Sequence, residues 1–185
     1  MLHDQVHLTL PAWISEETGG NAVYPDDQTK MALAIRLSAR NVEEGTGGPF
    51  GAALFTETGH VLGVGVNRVL AQTCSLAHAE MMAFATAQQG LRRFRLNQNG
   101  ERIVLASSSQ PCAMCYGASF WAGIDCVLIG ARADDVQSLA GFDEGPLPAD
   151  WLGEWQKRGI AVTRDILREE ACAVLKTYGE SGLVY

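Results

Sequence analysis

Two short stretches could do chemistry together: His78-Ala79-Glu80 and, further along, Pro111-Cys112-Ala113-Met114-Cys115. One imidazole and two thiolates fill three of the four positions of a tetrahedral zinc site. The fourth is then left for water, whose pKa such a zinc lowers from about 15.7 to roughly 7. Hydroxide becomes available at neutral pH, which is what a hydrolysis needs. Glu80, two residues past the histidine, is placed to carry protons rather than to hold metal. A purely structural zinc would normally take a fourth protein ligand. No further cysteine lies beside these in sequence, though Cys74 could fold close.

The ligand clusters need elements that bring them together. Asp26 or Asp27 can cap a helix running to about Glu44, with Met31, Ile35, Ala39 and Val42 as its apolar stripe. Ala52–Thr56 and Val61–Asn67 read as two strands joined by a turn. A helix from about Ala77 to Gln89 then carries His78 and Glu80 in its first turn. Ile103–Ser107 reads as a buried strand, followed by a helix from about Cys112 to Gly123. Proline is tolerated at such a start, because its missing N–H would be unpaired there anyway. Both clusters thus fall at helix N-termini, where the dipole favours hydroxide and thiolate. Strands at Cys126–Gly130 and Ile160–Thr163 follow, separated by helical segments that favour a parallel crossover. A helix over Arg164–Tyr178, with Ile166, Leu167, Cys172 and Leu175 inward, closes the chain. The sum is an α/β fold, a five-stranded mixed sheet covered by helices on both faces. Residues 1–25, broken by Pro11, Gly19, Gly20 and Pro25, read as an arm packed on the domain through Leu8, Leu10, Trp13 and Ile14.

Composition narrows the class. The 185 residues, 47% hydrophobic and 19% charged, suit one globular domain. The net charge of −7 repels phosphate backbones, so a polynucleotide substrate is disfavoured. Five cysteines, an odd number, suit metal-bound and free thiols in a reducing cytoplasm. No signal peptide or membrane-spanning stretch is expected.

The order His-x-Glu…Pro-Cys-x-x-Cys is a known signature of zinc deaminases that act on nucleobases. With it, the chain resembles the cytidine deaminase-like superfamily and, within it, bacterial guanine deaminases. The narrower resemblance lies in Gly48-Pro49-Phe50-Gly51-Ala52, Gly65-Val66-Asn67, Phe120-Trp121-Ala122-Gly123 and Ala140-Gly141-Phe142-Asp143-Glu144. It implies a three-layer α/β/α sandwich over residues 26–185, one catalytic Zn2+ per subunit held by His78, Cys112 and Cys115, and a homodimer. It also implies Glu80 as proton shuttle and Glu144 as a second acid near the leaving amine, where many relatives have aspartate. Asn67, Phe50, Ala79 and Trp121 would bind the base, and Tyr185, after Leu183 and Val184, would cover it. The implied reaction is hydrolysis of guanine to xanthine and ammonia, with aminotriazines and guanosine as related candidate substrates. Other readings are an editing enzyme similar to the tRNA adenosine deaminases, a cytosine or cytidine deaminase, and a non-catalytic zinc-stabilised module.

Overall fold

The structure, a computed structural model, describes residues 4–18, 20 and 22–182. Its sheet comprises β1 (Gly51–Thr56), β2 (Val61–Val66), β3 (Ile103–Ser109), β4 (Cys126–Ala131) and β5 (Ala161–Thr163), in the order β2-β1-β3-β4-β5. β1 runs antiparallel to β2 and β3, whereas β3 to β4 and β4 to β5 are parallel. Alternation along β1 sends Ala53 and Phe55 to one core and Ala52 and Leu54 to the other. The first core is covered by α2 (Asp27–Glu43), α6 (Ala133–Ala140) and α8 (Arg168–Glu180). The second is covered by α4 (Ala79–Leu91), α5 (Ala113–Ala122) and α7 (Trp151–Gln156). The result is the three-layer sandwich. In the arm, α1 (Ile14–Thr18) follows Trp13, and both Trp13 and Ile14 are buried, whereas Leu8 is exposed.

Several elements differ from expectation. On α2, capped by Asp26, Met31 and Ile35 of the expected stripe are buried, with Leu33, Ala34, Leu37, Ser38 and Asn41, while Ala39 and Val42 are only half-buried. The second half of the stripe departs from the apolar count because Ser38 donates to Pro49 O and Asn41 to Gly48 O, which buries these polar residues against a neighbouring loop. A four-residue helix, α3 (Val69–Gln72), precedes α4 and carries no periodic signal of its own. α8 begins at Arg168 rather than Arg164, since Asp165 (φ 67°) and Leu167 (φ 49°) adopt left-handed backbone that breaks a helix.

Two glycines let α4 lie directly on β2. A Cβ at Gly65 would stand 2.0 Å from the Ala79 carbonyl oxygen, and one at Gly63 would stand 2.8 Å from the Ala87 nitrogen. The helix therefore packs on bare backbone, and its first turn is held at one depth below the rim of the sheet.

Candidate active site

The site lies where β2 and β3 end and α4 and α5 begin. His78 is the N-cap of α4, in extended backbone and with no side-chain capping bond, so its ring is not used by the helix. Cys112 is the N-cap of α5, and its sulfur accepts the Cys115 N–H at 3.5 Å. Each ligand cluster thus starts one residue outside its helix, not within the first turn. His78 Nδ1 lies 3.5 Å from Cys112 Sγ and 3.8 Å from Cys115 Sγ. All three donors fall within 4.8 Å of one another. With Zn–N near 2.0–2.1 Å and Zn–S near 2.3 Å, tetrahedral geometry puts nitrogen and sulfur ligands about 3.5–3.6 Å apart. The donor set fits zinc. Among the described residues no other His, Cys, Asp or Glu, Cys74 included, joins the cluster.

Glu80 is buried at 6% exposure. Its Oε1 accepts from Ser107 Oγ at 3.2 Å, and its Oε2 lies 3.3 Å from the Cys115 sulfur, which donates. Burial, and then the Cys112 charge, push the Glu80 carboxyl above the ordinary range. Glu144, carried on the segment after α6, is pushed up to about 8, first by desolvation and then by the charges of Glu80 and Cys112. The hydrogen bond from Cys115 pushes Cys112 down, and the same bond pushes Cys115 up. The bond to Cys112 raises His78 against the opposing effect of burial. The metal-free pair of sulfurs shares one proton; a divalent cation takes the place of that proton and favours both as thiolates.

A cavity of about 150 Å³ opens beside this cluster. That is below the roughly 300–1,000 Å³ of drug-sized sites, so its occupant is small. His78, Glu80 and Cys112 line it on the metal side, with Ala79 between them. Phe50, Asn67 and Glu144 complete the set expected from sequence. Asn67 Oδ1 accepts the Val69 N–H at 3.3 Å, and Phe50 meets Phe142 edge-on at 5.2 Å between ring centroids. Gln110, Phe142 and Asp143 also line the cavity and were not anticipated as site residues. For Phe142 and Asp143 the neighbouring Glu144 was a usable signal. For Gln110 the signal was its place immediately before Pro111-Cys112.

Trp121 is not brought to this cavity. It is 80% exposed in the last turn of α5. Nine residues of helix separate it from Cys112, roughly 14 Å along the axis. Tyr185, with Leu183 and Val184, lies outside the described residues.

Asn41 supports the cavity wall from below. Fully buried, its Nδ2 donates to Gly48 O at 2.8 Å and Asn67 O at 2.9 Å, and its Oδ1 accepts from Thr46 Oγ1 at 2.8 Å. One side chain thus ties the 46–50 turn, and with it Phe50, to the end of β2.

A helix–sheet–helix sandwich carrying a His-Cys-Cys zinc set and a buried glutamate at its metal side defines a zinc-dependent hydrolytic deaminase. Residues 25–131 match the family model of the cytidine and deoxycytidylate deaminase zinc-binding region, and the chain belongs to that family. A crystal structure of guanine deaminase from Nitrosomonas europaea is similar over 97% of this chain and 99% of its own, with a TM-score of 0.91 and 37% identity. A structure determined with 2,6-diaminopurine matches at a TM-score of 0.92 and 38% identity, covering 98% of this chain and 97% of that one. Guanine deaminase of Bacillus subtilis is 34% identical over 63% of this chain and 71% of its own length.

Proposed function

We propose that this enzyme hydrolyses guanine to xanthine and ammonia, with His78, Cys112 and Cys115 holding one Zn2+. The observation that carries this reading is a second carboxyl group, Glu144, in the same small cavity as Glu80, with no Lys or Arg lining it among the described residues. Removing an amine from a ring needs two proton routes, one to the ring and one to the leaving nitrogen. When bound, the zinc supplies an acidified water as nucleophile. Glu80 takes a proton from the incoming water and delivers it to the ring nitrogen beside C2 as the C–O bond forms. Glu144, which burial and the charges of Glu80 and Cys112 push up to about 8 in the metal-free chain, donates to the exocyclic amine as the C–N bond breaks. Glu80 then accepts the hydroxyl proton as the C2 carbonyl forms and ammonia leaves; exchange with solvent returns the proton from Glu80 to Glu144 and restores both carboxyl groups. Asn67 offers amide hydrogen bonds to the lactam edge, and Phe50 an aromatic face to the ring. The similarity to guanine deaminases over nearly the whole chain supports the same substrate.

Zinc-loaded protein is expected to release ammonia and xanthine from guanine; no release would remove the reading. An anticodon substrate needs a basic rim, and the net charge of −7 weighs against it. A homodimer in the cytoplasm, acting in purine catabolism, belongs to the same reading. The exposed Trp121 supports a second copy, which light scattering tests. No described helix is long and apolar enough to cross a membrane.

A further inference from the structure

Gln110 follows β3 directly and lines the cavity at 8% exposure. Its backbone N–H donates to Ala131 O at 2.8 Å. Its side-chain amide makes no hydrogen bond among the described residues, and it lines a cavity that opens to solvent. Water satisfies it in the empty cavity, and a bound ring that displaces this water has to offer the hydrogen bonds in its place.

Sheet register shows where that partner lies. Asn67 N–H donates to Phe50 O at 3.0 Å, and Gly51 N–H donates to Ser108 Oγ at 3.1 Å. The end of β2, the entry to β1 and the end of β3 therefore stand side by side. Asn67 and Gln110 are two strands apart, about 10 Å between backbones at ~4.8 Å per strand, with Phe50 between them. Two amides at that spacing, flanking an aromatic, suit a flat bicyclic ring held at both ends. An amide can either donate to the bare nitrogen or accept from the N–H of a purine's five-membered ring, so it can serve whichever of the two it faces.

We propose that Gln110 is a specificity-determining residue whose amide hydrogen-bonds the imidazole edge of the base, opposite the lactam edge taken by Asn67. It selects bicyclic over monocyclic amino-heterocycles. This rests on the reading of the site as a guanine deaminase.

The test uses Gln110→Met, close in volume but without the amide, and Gln110→Ala as a second variant, both zinc-loaded. The substrates are guanine and isocytosine, which keeps the reacting ring of guanine and lacks the five-membered one. Isocytosine is scored as a substrate or, where it does not react, as a competitive inhibitor. For both variants kcat/KM on guanine is expected to fall about 10- to 100-fold, mainly through KM. The isocytosine value should stay within about twofold by the same energy scale. Zinc content should equal wild type, and Tm should hold or rise, because no internal bond is lost. A residue kept only for packing would lower Tm and leave the guanine-to-isocytosine ratio unchanged. Guanine kinetics equal to wild type, or equal losses on both compounds, overturn the proposal. Should isocytosine neither react nor inhibit, the loss on guanine at unchanged Tm and zinc decides. Failure of the wild-type enzyme on guanine would instead overturn the underlying reading of the site.

Discussion

Two pairs of carboxylates in this molecule are treated in opposite ways. Between α6 and α8, Asp135 receives two bonds of 2.7 Å from Arg168, and Asp165 receives two of 2.7 Å from Arg132. The Arg168 guanidinium holds Asp135 down at about 2, and Arg132 likewise lowers Asp165. In the active site Glu80 and Glu144 face one cavity that no arginine or lysine lines among the described residues, and both are pushed up. The first pair is arranged for the charged form and supports the fold. The second is biased toward the protonated form by burial, at a cost in stability, and such perturbed carboxyl groups are what acid–base catalysis uses.

Metal removal tests this contrast most severely. Chelation, or Cys115→Ala, should abolish ammonia release from guanine; activity surviving in protein shown by elemental analysis to lack zinc would place the chemistry elsewhere. Glu80→Gln should lower kcat by about 10²–10⁴ while zinc content is unchanged. Glu144→Gln should cost about a hundredfold in kcat, and its stability effect should change with pH. In the metal-free protein Glu144 titrates at about 8 folded against an ordinary 4.5, so the folded chain holds an extra proton between those values. The stability tied to that proton is full below 4.5 and lost as pH rises through about 8. Melting curves across that range should therefore show Glu144→Gln gaining on wild type as pH rises; a constant difference would mean that Glu144 is not held neutral.

Asp135→Asn should give the smallest change. Its Tm at neutral pH should fall by roughly 2–4 °C, as for a partly exposed ion pair in a chain of this size. Asp135 is depressed from 3.8 to about 2, so its contribution is present above 3.8 and fades as pH drops through about 2. Denaturation at acidic and neutral pH checks this. Guanine kinetics should not move, and a kinetic effect would show that the flank and the site are coupled.

The metal site was legible because its chemistry fixes residue types at short spacing: His78 to Glu80, and Pro111 to Cys115. The strands were legible as short apolar runs bounded by turn residues, and β1 and β3 are buried along their whole length. Legibility failed where position depends on a third partner. Asn41 looks like an exposed helix residue until the 46–50 turn and Asn67 are seen to share its amide. Trp121 sits in a matching motif, yet the length of α5 carries it away from the cavity. Gln110 stands immediately before Pro111-Cys112, which marks it as near the metal, but only sheet register places it across from Asn67. The start of α8 depends on left-handed backbone at Asp165 and Leu167, residue types that give no such warning.

The bare contact of Gly63 and Gly65 with α4 has a consequence for how this enzyme could change. Any side chain added at Gly65 would lever the start of α4 outward, carrying a metal donor and the proton carrier with it while the cysteines on α5 stayed behind. Accommodating a bulkier or smaller ring therefore falls to the walls, the 46–50 turn and the segment around Glu144, because the floor sets the depth of His78 and Glu80 together.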